Sequence, residues 1–592
     1  MSSSTDSLWF GTSGPPDADI VIVGEAWGYE ESIEKRPFVG QSGNELTRML
    51  NEAGIDRSKC LLTNVAALRP QGNEMWRLFH PCDSPSGLPP IRGLDPTEQV
   101  RSELDRLYSQ IQAHPRKLVL AVGNYALWAL TDCTKASKLR ASNNKKIPPE
   151  FQTMTPGGIG NWRGSMWHTL ENPTSAVYSK TLLIPLIHPA AIMRQWSQRA
   201  ITVHDLKCRV PKALRGDWRA FPAPVFFAPP TFEQAISKLR GWLEQANRGV
   251  RFRLAADIET NRGFITCAGF ADSKHFAMSL PFVRLLPDRS FVSWWSPEQE
   301  SQIISLIRSI LRHPNILIEG QNFIYDTQYF QHWMAVTPRL DFDTMLAQNV
   351  LFPGTEKGLD YLSSLYCHYH WFWKEDHKEW DARGDIESLL VYNCWDCVRT
   401  FEVADVQRSV LATEKQEEQM HLKMRVNDLC LRMMNRGVLI DKERRKSISG
   451  ELMGALHELE SQLNFIVPQE LVALGEKTPW FRSDKQTATL FYDIFRFDVV
   501  HNRKTGQPTV GKEARGILKR KYPEFTGLFE RLRVYGSAEN THNVVNAGLD
   551  SDNRLRCSYN PGGAETHRLS SSKTPFGRGT NLQNLTVGEE DE

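Results

Sequence analysis

The sequence is short of net charge of either sign. Its 71 Lys and Arg face 69 Asp and Glu across 592 residues, a formal net charge of +2, so any contact with nucleic acid has to come from local basic patches. Long apolar runs are missing as well. Nothing approaches the ~20 uninterrupted apolar residues that would cross a bilayer, and no membrane partner is expected. The opening stretch, MSSSTDSLWFGTSGPPDADI, lacks the basic start and apolar run of a secretory signal. Ten cysteines are scattered without a framework spacing, and in a large chain with no such signal they should stay reduced. There are no internal repeats. These absences suggest a soluble, cytoplasmic protein, in the host cytoplasm if the chain is viral. What is present is ordinary globular composition, 41% hydrophobic and 24% charged, in a chain long enough for about three or four cores.

Over residues 1–210 short apolar runs alternate with helical stretches: IVIVG (20–24), CLLTNV (60–65), LVLAVG (118–123) and LLIPLIHP (182–189). Such runs read as buried strands of a parallel sheet, which binds ligands at its strands' carboxyl ends. Residues 211–230, rich in Pro and basic side chains, read as a linker. A second α/β unit follows over 231–410. It opens with Phe232, Ile236, Leu239 and Leu243 at helical spacing and continues into the strand-like RFRLAADIE, ITCAGFA and ILIEGQ. Residues 411–592 begin as nearly continuous helix broken at Gly437 and end in a Gly, Ser and Thr rich stretch without apolar period. The expected fold is α/β and multidomain.

Asp257 and Glu259 stand at i and i+2 of a predicted strand, so their side chains leave one face. Adjacent carboxylates repel, and burying them is costly unless cations neutralise them. Asn322 and Asp326 lie four apart at a helix start, and Tyr392 and Asp396 lie four apart in another helix, so each pair should share a face. The four carboxylates can hold two Mg²⁺ or Mn²⁺ ions about 4 Å apart, the arrangement that stabilises attacking and leaving oxygens in phosphodiester cleavage. The Tyr392 hydroxyl can orient the attacking water. Taken singly, a D-x-E reads as solvated surface acids on separate elements; the ordered set does not. Cys394 and Cys397 form a C-x-x-C around Trp395 with no second pair, and read as helix packing residues and not as a zinc or redox site.

DIET, NFIYD and YNCWD, in that order, resemble the three successive motifs of the proofreading exonuclease of family A DNA polymerases, and DFDTMLAQNVLFPG and LDYLSSLY between them resemble that family too. The resemblance implies an RNase H-like domain with Asp257, Glu259, Asp326 and Asp396 as ligands of two divalent ions. It also implies Tyr392 positioning the nucleophile, Asn322 contacting DNA, and a single-stranded or frayed 3′ end as substrate. LRMMNRGVLID (431–441) and SDKQTATLFYDIF resemble the start of the polymerase part and its thumb. ETHRLSSSKTPFGRGTNLQNL resembles the T-G-R-L-S-S…NLQN segment, with His567 where that family has Gly. By this resemblance Arg568 and Gln583 would contact the primer–template, on a mainly helical thumb with partial palm. After NLQNL only TVGEEDE follows, without the nucleotidyl-transfer acids. The sequence therefore leads to the expectation of a split or truncated replicative polymerase, completed by a second polypeptide carrying palm and fingers.

VGEAWGYEESIEKRPFVGQSGNELTRMLNEAGI, LLTNVAALRP, LAVGNYALWAL, WRGSMW and PLIHPAAIMRQW resemble family 4 uracil-DNA glycosylases in order and spacing over residues 18–200. The resemblance implies a three-layer αβα domain with a pocket for a flipped base. In it Phe38 stacks on the ring, Asn64 pairs with uracil O4 and N3–H, His188 stabilises charge on O2 and Glu25 orients water or balances the oxocarbenium ion. Trp27 stands where that family has Pro and could reshape the pocket. Cys82 matches one iron–sulfur ligand of the family, whereas Cys60, Cys133 and Cys208 lack the spacing, so no cluster is expected. The fusion looks viral, as from a phage. Three other readings stay open: a glycosylase-derived module that binds DNA or a partner without excising a base, a stand-alone repair protein combining uracil excision with exonuclease activity, and a non-catalytic DNA-binding scaffold.

Overall fold

The computed structural model describes all residues except 1–7, 82–83, 132–157, 170–180, 217–222, 287, 289, 375–385, 468–478, 503–506 and 585–592. The described chain divides into two units, Met1–Met424 and Arg425–Glu592.

In the first unit the predicted apolar runs become β1 (Ile20–Ala26), β2 (Cys60–Ala66), β3 (Leu118–Val122) and β5 (Leu182–Leu186), with the short β4 (Trp167–His168) at one edge. Their order is β2-β1-β3-β5-β4, parallel throughout except for β4. β2, β3 and β5 are buried along their whole length because helices cover both faces. Val21, Val23 and Leu61 pack on one side with Leu104 and Leu107 of α1 (Glu98–Gln112). Ile22, Leu62 and Leu120 pack on the other with Val203, Leu206 and Val210 of α2 (Gln198–Arg215). This is the three-layer arrangement expected. α2 runs on through Pro211, because its apolar face stays on the sheet past the missing N–H. The expected linker of 211–230 is therefore shorter than its composition suggests.

The second sheet of this unit has the order β13-β12-β7-β8-β9-β6, an RNase H-like arrangement. Its central strands β7 (Phe252–Asn261), β8 (Phe264–Ser273) and β9 (Phe276–Pro281) are antiparallel. β12 (Ile316–Gly320) and β13 (Leu340–Asp343) add in parallel beyond β7. β6 (Val225–Phe227), also drawn from the expected linker, pairs in parallel with β9 as the edge strand. A hairpin of β10 (Val283–Leu285) and β11 (Phe291–Ser293) lies apart. α3 (Phe232–Asn247) starts at a capping box in which Thr231 and Gln234 satisfy each other's backbone N–H. α4 (Ile324–Met334) follows β12, and α5 (Ile386–Thr413) packs across β7, β8 and β9.

The second unit is mainly helical, as expected. α6 (Glu417–Arg436) leads to Gly437, whose φ of 60° and close neighbours Arg556 Cγ and Leu555 O leave no room for a side chain. β14 (Val438–Leu439) then pairs with β15 (Arg554–Leu555). α7 (Lys442–Ile466) and α8 (Thr526–Val545) close over an aromatic core of Trp480, Phe491, Phe497, Phe529 and Tyr535. The Ser-rich stretch forms a small hairpin, β16 (Ser558–Asn560) with β17 (Ser570–Ser572).

Candidate functional sites

Alternation along β7 sends Asp257 and Glu259 to the face on which α5 lies. α5 brings Tyr392 and Asp396 there one turn apart. Oxygens of Asp257, Glu259 and Asp396 lie within 4.8 Å of one another, the one such acidic group among the described residues. Burial first, and then the Asp396 charge, pushes the Asp257 carboxyl up to about 8. Burial and the charges of Asp257 and Asp396 push Glu259 well above the carboxylate range. Three mutually repelling carboxylates with only oxygen donors suit a hard divalent cation, so these residues fit the metal centre expected of them.

Asp326 lies on α4 outside that tight group. Its Oδ1 accepts the Ile258 N–H at 2.9 Å, and burial together with the Asp257 charge raises its pKa. Asn322 departs from expectation. It precedes α4 with a φ of 54° and so does not share a helix face with Asp326, because the Asp343 carboxylate draws the Asn322 and Phe323 N–H groups into a turn. Cys394 and Cys397 pack with Ala255, Ala271 and Ala277, as their helix position suggests.

Three residues of this site are not singled out by sequence reading, although Asn393 lies within YNCWD. Asn393 donates to Asp257 Oδ2 at 2.8 Å and accepts from Ser279 Oγ at 2.7 Å, fixing the first acid between strand and helix. Trp373 Nε1 donates to Asp396 Oδ1 at 2.6 Å. Lys374 Nζ donates to Asp396 Oδ2 at 2.7 Å and to Tyr392 Oη at 2.9 Å. Burial opposes the charge on Lys374, but the Asp396, Asp257 and Glu259 carboxylates together outweigh it and hold the ammonium above its ordinary value. The Tyr392 hydroxyl is held protonated by burial and the same carboxylates. Asn393 could have been suspected as the neighbour of Tyr392. Trp373 and Lys374 sit in an aromatic run whose spacing points to nothing.

At the carboxyl ends of β1, β2 and β5 an open cavity of about 780 Å³ is lined by Glu25, Trp27, Phe38, Asn64 and His188, which are thus gathered as the sheet topology predicts. Asn64 is 2% exposed and its Oδ1 has no hydrogen-bond partner among the described residues, so the oxygen is left for something that enters. A Cβ on Gly24 would lie 2.6 Å from that oxygen and 2.7 Å from Phe38 Cζ, so the floor requires glycine. Phe38 has a φ of 55°, a strained value for an aromatic residue. Glu31 accepts its N–H and that of Gly28, and Arg57 Nη2 donates to its carbonyl at 2.8 Å. Its ring stacks beside His188 at a centroid distance of 6.5 Å. His188 Nδ1 accepts the Ala190 N–H at 3.2 Å, which puts the proton of the neutral ring on Nε2. Glu25 Oε1 accepts the Tyr125 N–H at 3.1 Å. Trp27 is buried between Phe10 and the Lys35 ammonium and forms part of the cavity wall. Glu31 and Arg57 are missed by motif reading.

Comparison with known families matches the chain in two places. The model of the uracil DNA glycosylase superfamily matches residues 11–210, and that of a 3′-5′ exonuclease matches residues 291–412. Two family domains lie in this chain. The glycosylase-superfamily domain is 33% identical over 114 residues to a type-4 uracil-DNA glycosylase of Archaeoglobus fulgidus, a segment covering 19% of this chain and 47% of that protein. It is 28% identical over 204 residues to the type-4 enzyme of Saccharolobus solfataricus, covering 34% of this chain and 74% of that one. Among solved structures, the POL domain of Pol1 from M. smegmatis in complex with DNA primer-template and dNTP aligns with 60% of this chain and 55% of its own at 19% identity and a TM-score of 0.40, too low to bear on function. Of the iron–sulfur candidates, Cys82 and Cys133 lie outside the described residues, Cys60 is buried in β2, and Cys208 Sγ lies 3.7 Å from His204 Nδ1.

In the second unit His567 adopts a φ of 59°, the conformation glycine favours. Arg568 is exposed. Gln583 Nε2 donates to the Leu569 carbonyl at 3.0 Å, which ties it to the residue after Arg568. No helix among the described residues is long and apolar enough to cross a membrane.

Proposed function

We propose that this chain is a metal-dependent 3′→5′ DNA exonuclease that edits the ends left by a family A polymerase, joined to a domain that binds a flipped base. The convergence of Asp257, Glu259 and Asp396 within 4.8 Å beside the Tyr392 hydroxyl carries the reading. These carboxylates, with Asp326, would hold Mg²⁺ or Mn²⁺, which when bound supplies Lewis acidity and a nucleophile at neutral pH. Tyr392 presents a protonated hydroxyl toward the water that attacks phosphorus, and Asn393 keeps Asp257 turned toward the group. Single-strand degradation should fall at least about 10³-fold in Asp257→Ala/Glu259→Ala, with DNA binding retained. Degradation at the wild-type rate would end the proposal.

In the N-terminal cavity Asn64 Oδ1 suits an imide N–H, the His188 Nε2 proton suits a pyrimidine carbonyl oxygen, Phe38 offers a stacking face and Glu25 can orient water. Uracil carries that pattern, as does thymine, which differs only by its 5-methyl group. Incubation with uracil-containing DNA should leave apyrimidinic sites that alkali cleaves, and Asn64→Ala should lower their yield by roughly 10²-fold. If intact protein leaves none, the pocket does not excise uracil. A second polypeptide carrying palm and fingers would give the edited ends their source.

A further inference from the structure

The segment from Cys367 to Lys374 runs between the two α/β domains of the first unit and is gripped from both. From the N-terminal domain, the buried Arg209 donates to the carbonyls of Ser364, Cys367 and His368 at 2.7, 2.9 and 3.0 Å. The Met166 N–H donates to the His370 carbonyl at 2.8 Å, the Tyr369 hydroxyl donates to the Met166 carbonyl at 3.2 Å, and Trp162 meets Phe372 edge-on at 5.5 Å. From α5, Arg399 donates to the Tyr369 carbonyl at 2.7 Å and Glu402 accepts the His368 N–H at 2.7 Å. The next two residues of the same segment are Trp373 and Lys374, which between them take both oxygens of Asp396.

We propose that the N-terminal domain is a structural part of the exonuclease centre: through this strap it sets Trp373 and Lys374 as positioning residues for Asp396 and Tyr392. Trp373 fixes the rotamer of the carboxylate. Lys374 neutralises part of the acid cluster before a cation arrives and aims the Tyr392 hydroxyl. Its ammonium competes with a divalent ion for Asp396 Oδ2, so its loss strengthens metal binding while weakening turnover, whereas a general loosening of the site weakens both. The inference rests on the exonuclease reading above.

The test uses the full chain, with Mn²⁺ affinity measured by titration calorimetry alongside the single-turnover rate on a single-stranded 3′ end. Lys374→Met should bind Mn²⁺ several-fold more tightly and cleave about tenfold more slowly. Lys374→Arg should restore the wild-type affinity. Trp162→Leu, which alters only the N-terminal domain's contact with Phe372, should move both quantities in the same directions, and the double variant Trp162→Leu/Lys374→Met should be no worse than either alone. If Trp162→Leu does not fold, Tyr369→Phe, which deletes only a hydroxyl at the same junction, takes its place. Weaker Mn²⁺ binding in Lys374→Met, or independent effects that multiply in the double variant, would overturn the inference. A wild-type chain that does not degrade DNA, or an Asp257→Ala chain that still does, would instead overturn the exonuclease reading itself.

Discussion

At the scale of single residues, the acid group is defined by what its charges cost without a cation. Asp257 titrates near ~3.9 in an unfolded chain and at about 8 in the folded one, because burial and the Asp396 charge favour its neutral form. The folded protein thus holds that proton more tightly. Its contribution to stability is full below about pH 4 and is lost as pH rises through about 8. A divalent ion takes the ionised carboxylates and reverses the loss. The rise in melting temperature on adding Mg²⁺ or Mn²⁺ should therefore grow between about pH 6 and pH 9. Thermal melts across that range decide it, and a shift that does not vary with pH would speak against ligation by these acids.

Among elements, the decisive approach is that of α5 onto β8. A Cβ on Gly269 would come within 2.3 Å of Asn393 Oδ1 and 2.6 Å of Cys397 Sγ, so the helix can lie this close only over glycine. Gly269→Ala should push the helix away, cost about 1–3 kcal/mol of stability, and slow the exonuclease by disturbing the Asn393 to Asp257 contact. Urea unfolding and the nuclease rate measure the two effects, and an unchanged rate beside a lowered stability would separate packing from the site. Elements were readable where one period dominated: the four parallel strands and the helix break at Gly437. They were misread where tertiary contacts overrode composition. Pro211 continues a helix because Val203, Leu206 and Val210 hold it on the sheet, and Val225–Phe227 becomes an edge strand because β9 offers an unpaired edge.

On the scale of the whole first unit, the two α/β domains share buried charge. Arg163 donates to both oxygens of Asp205 at 2.7 Å and also to Ser364, and Arg209 closes on the strap. Pulling the domains apart would keep the Arg163–Asp205 pair but strip the buried Arg209 of the Ser364, Cys367 and His368 carbonyls, so separation and unfolding should coincide. Calorimetry of the full chain should show the N-terminal and exonuclease domains melting in one transition, and Arg209→Met should split it into two. Two transitions in the wild type would contradict that coupling.

The sequence by itself determined the types of element, the presence of two α/β modules and the identities of the acids, since alternation and helical spacing depend only on neighbours along the chain. It also marked Glu25, Asn64 and His188 near strand ends, and Phe38 between two helices. Only the tertiary structure decided that Asp326 stands outside the tight carboxylate group, that Asn322 leaves the helix, and that Lys374 and Trp373 reach Asp396. Those outcomes depend on which surfaces are pressed together by burial across long stretches of chain, and no local spacing records that pressure.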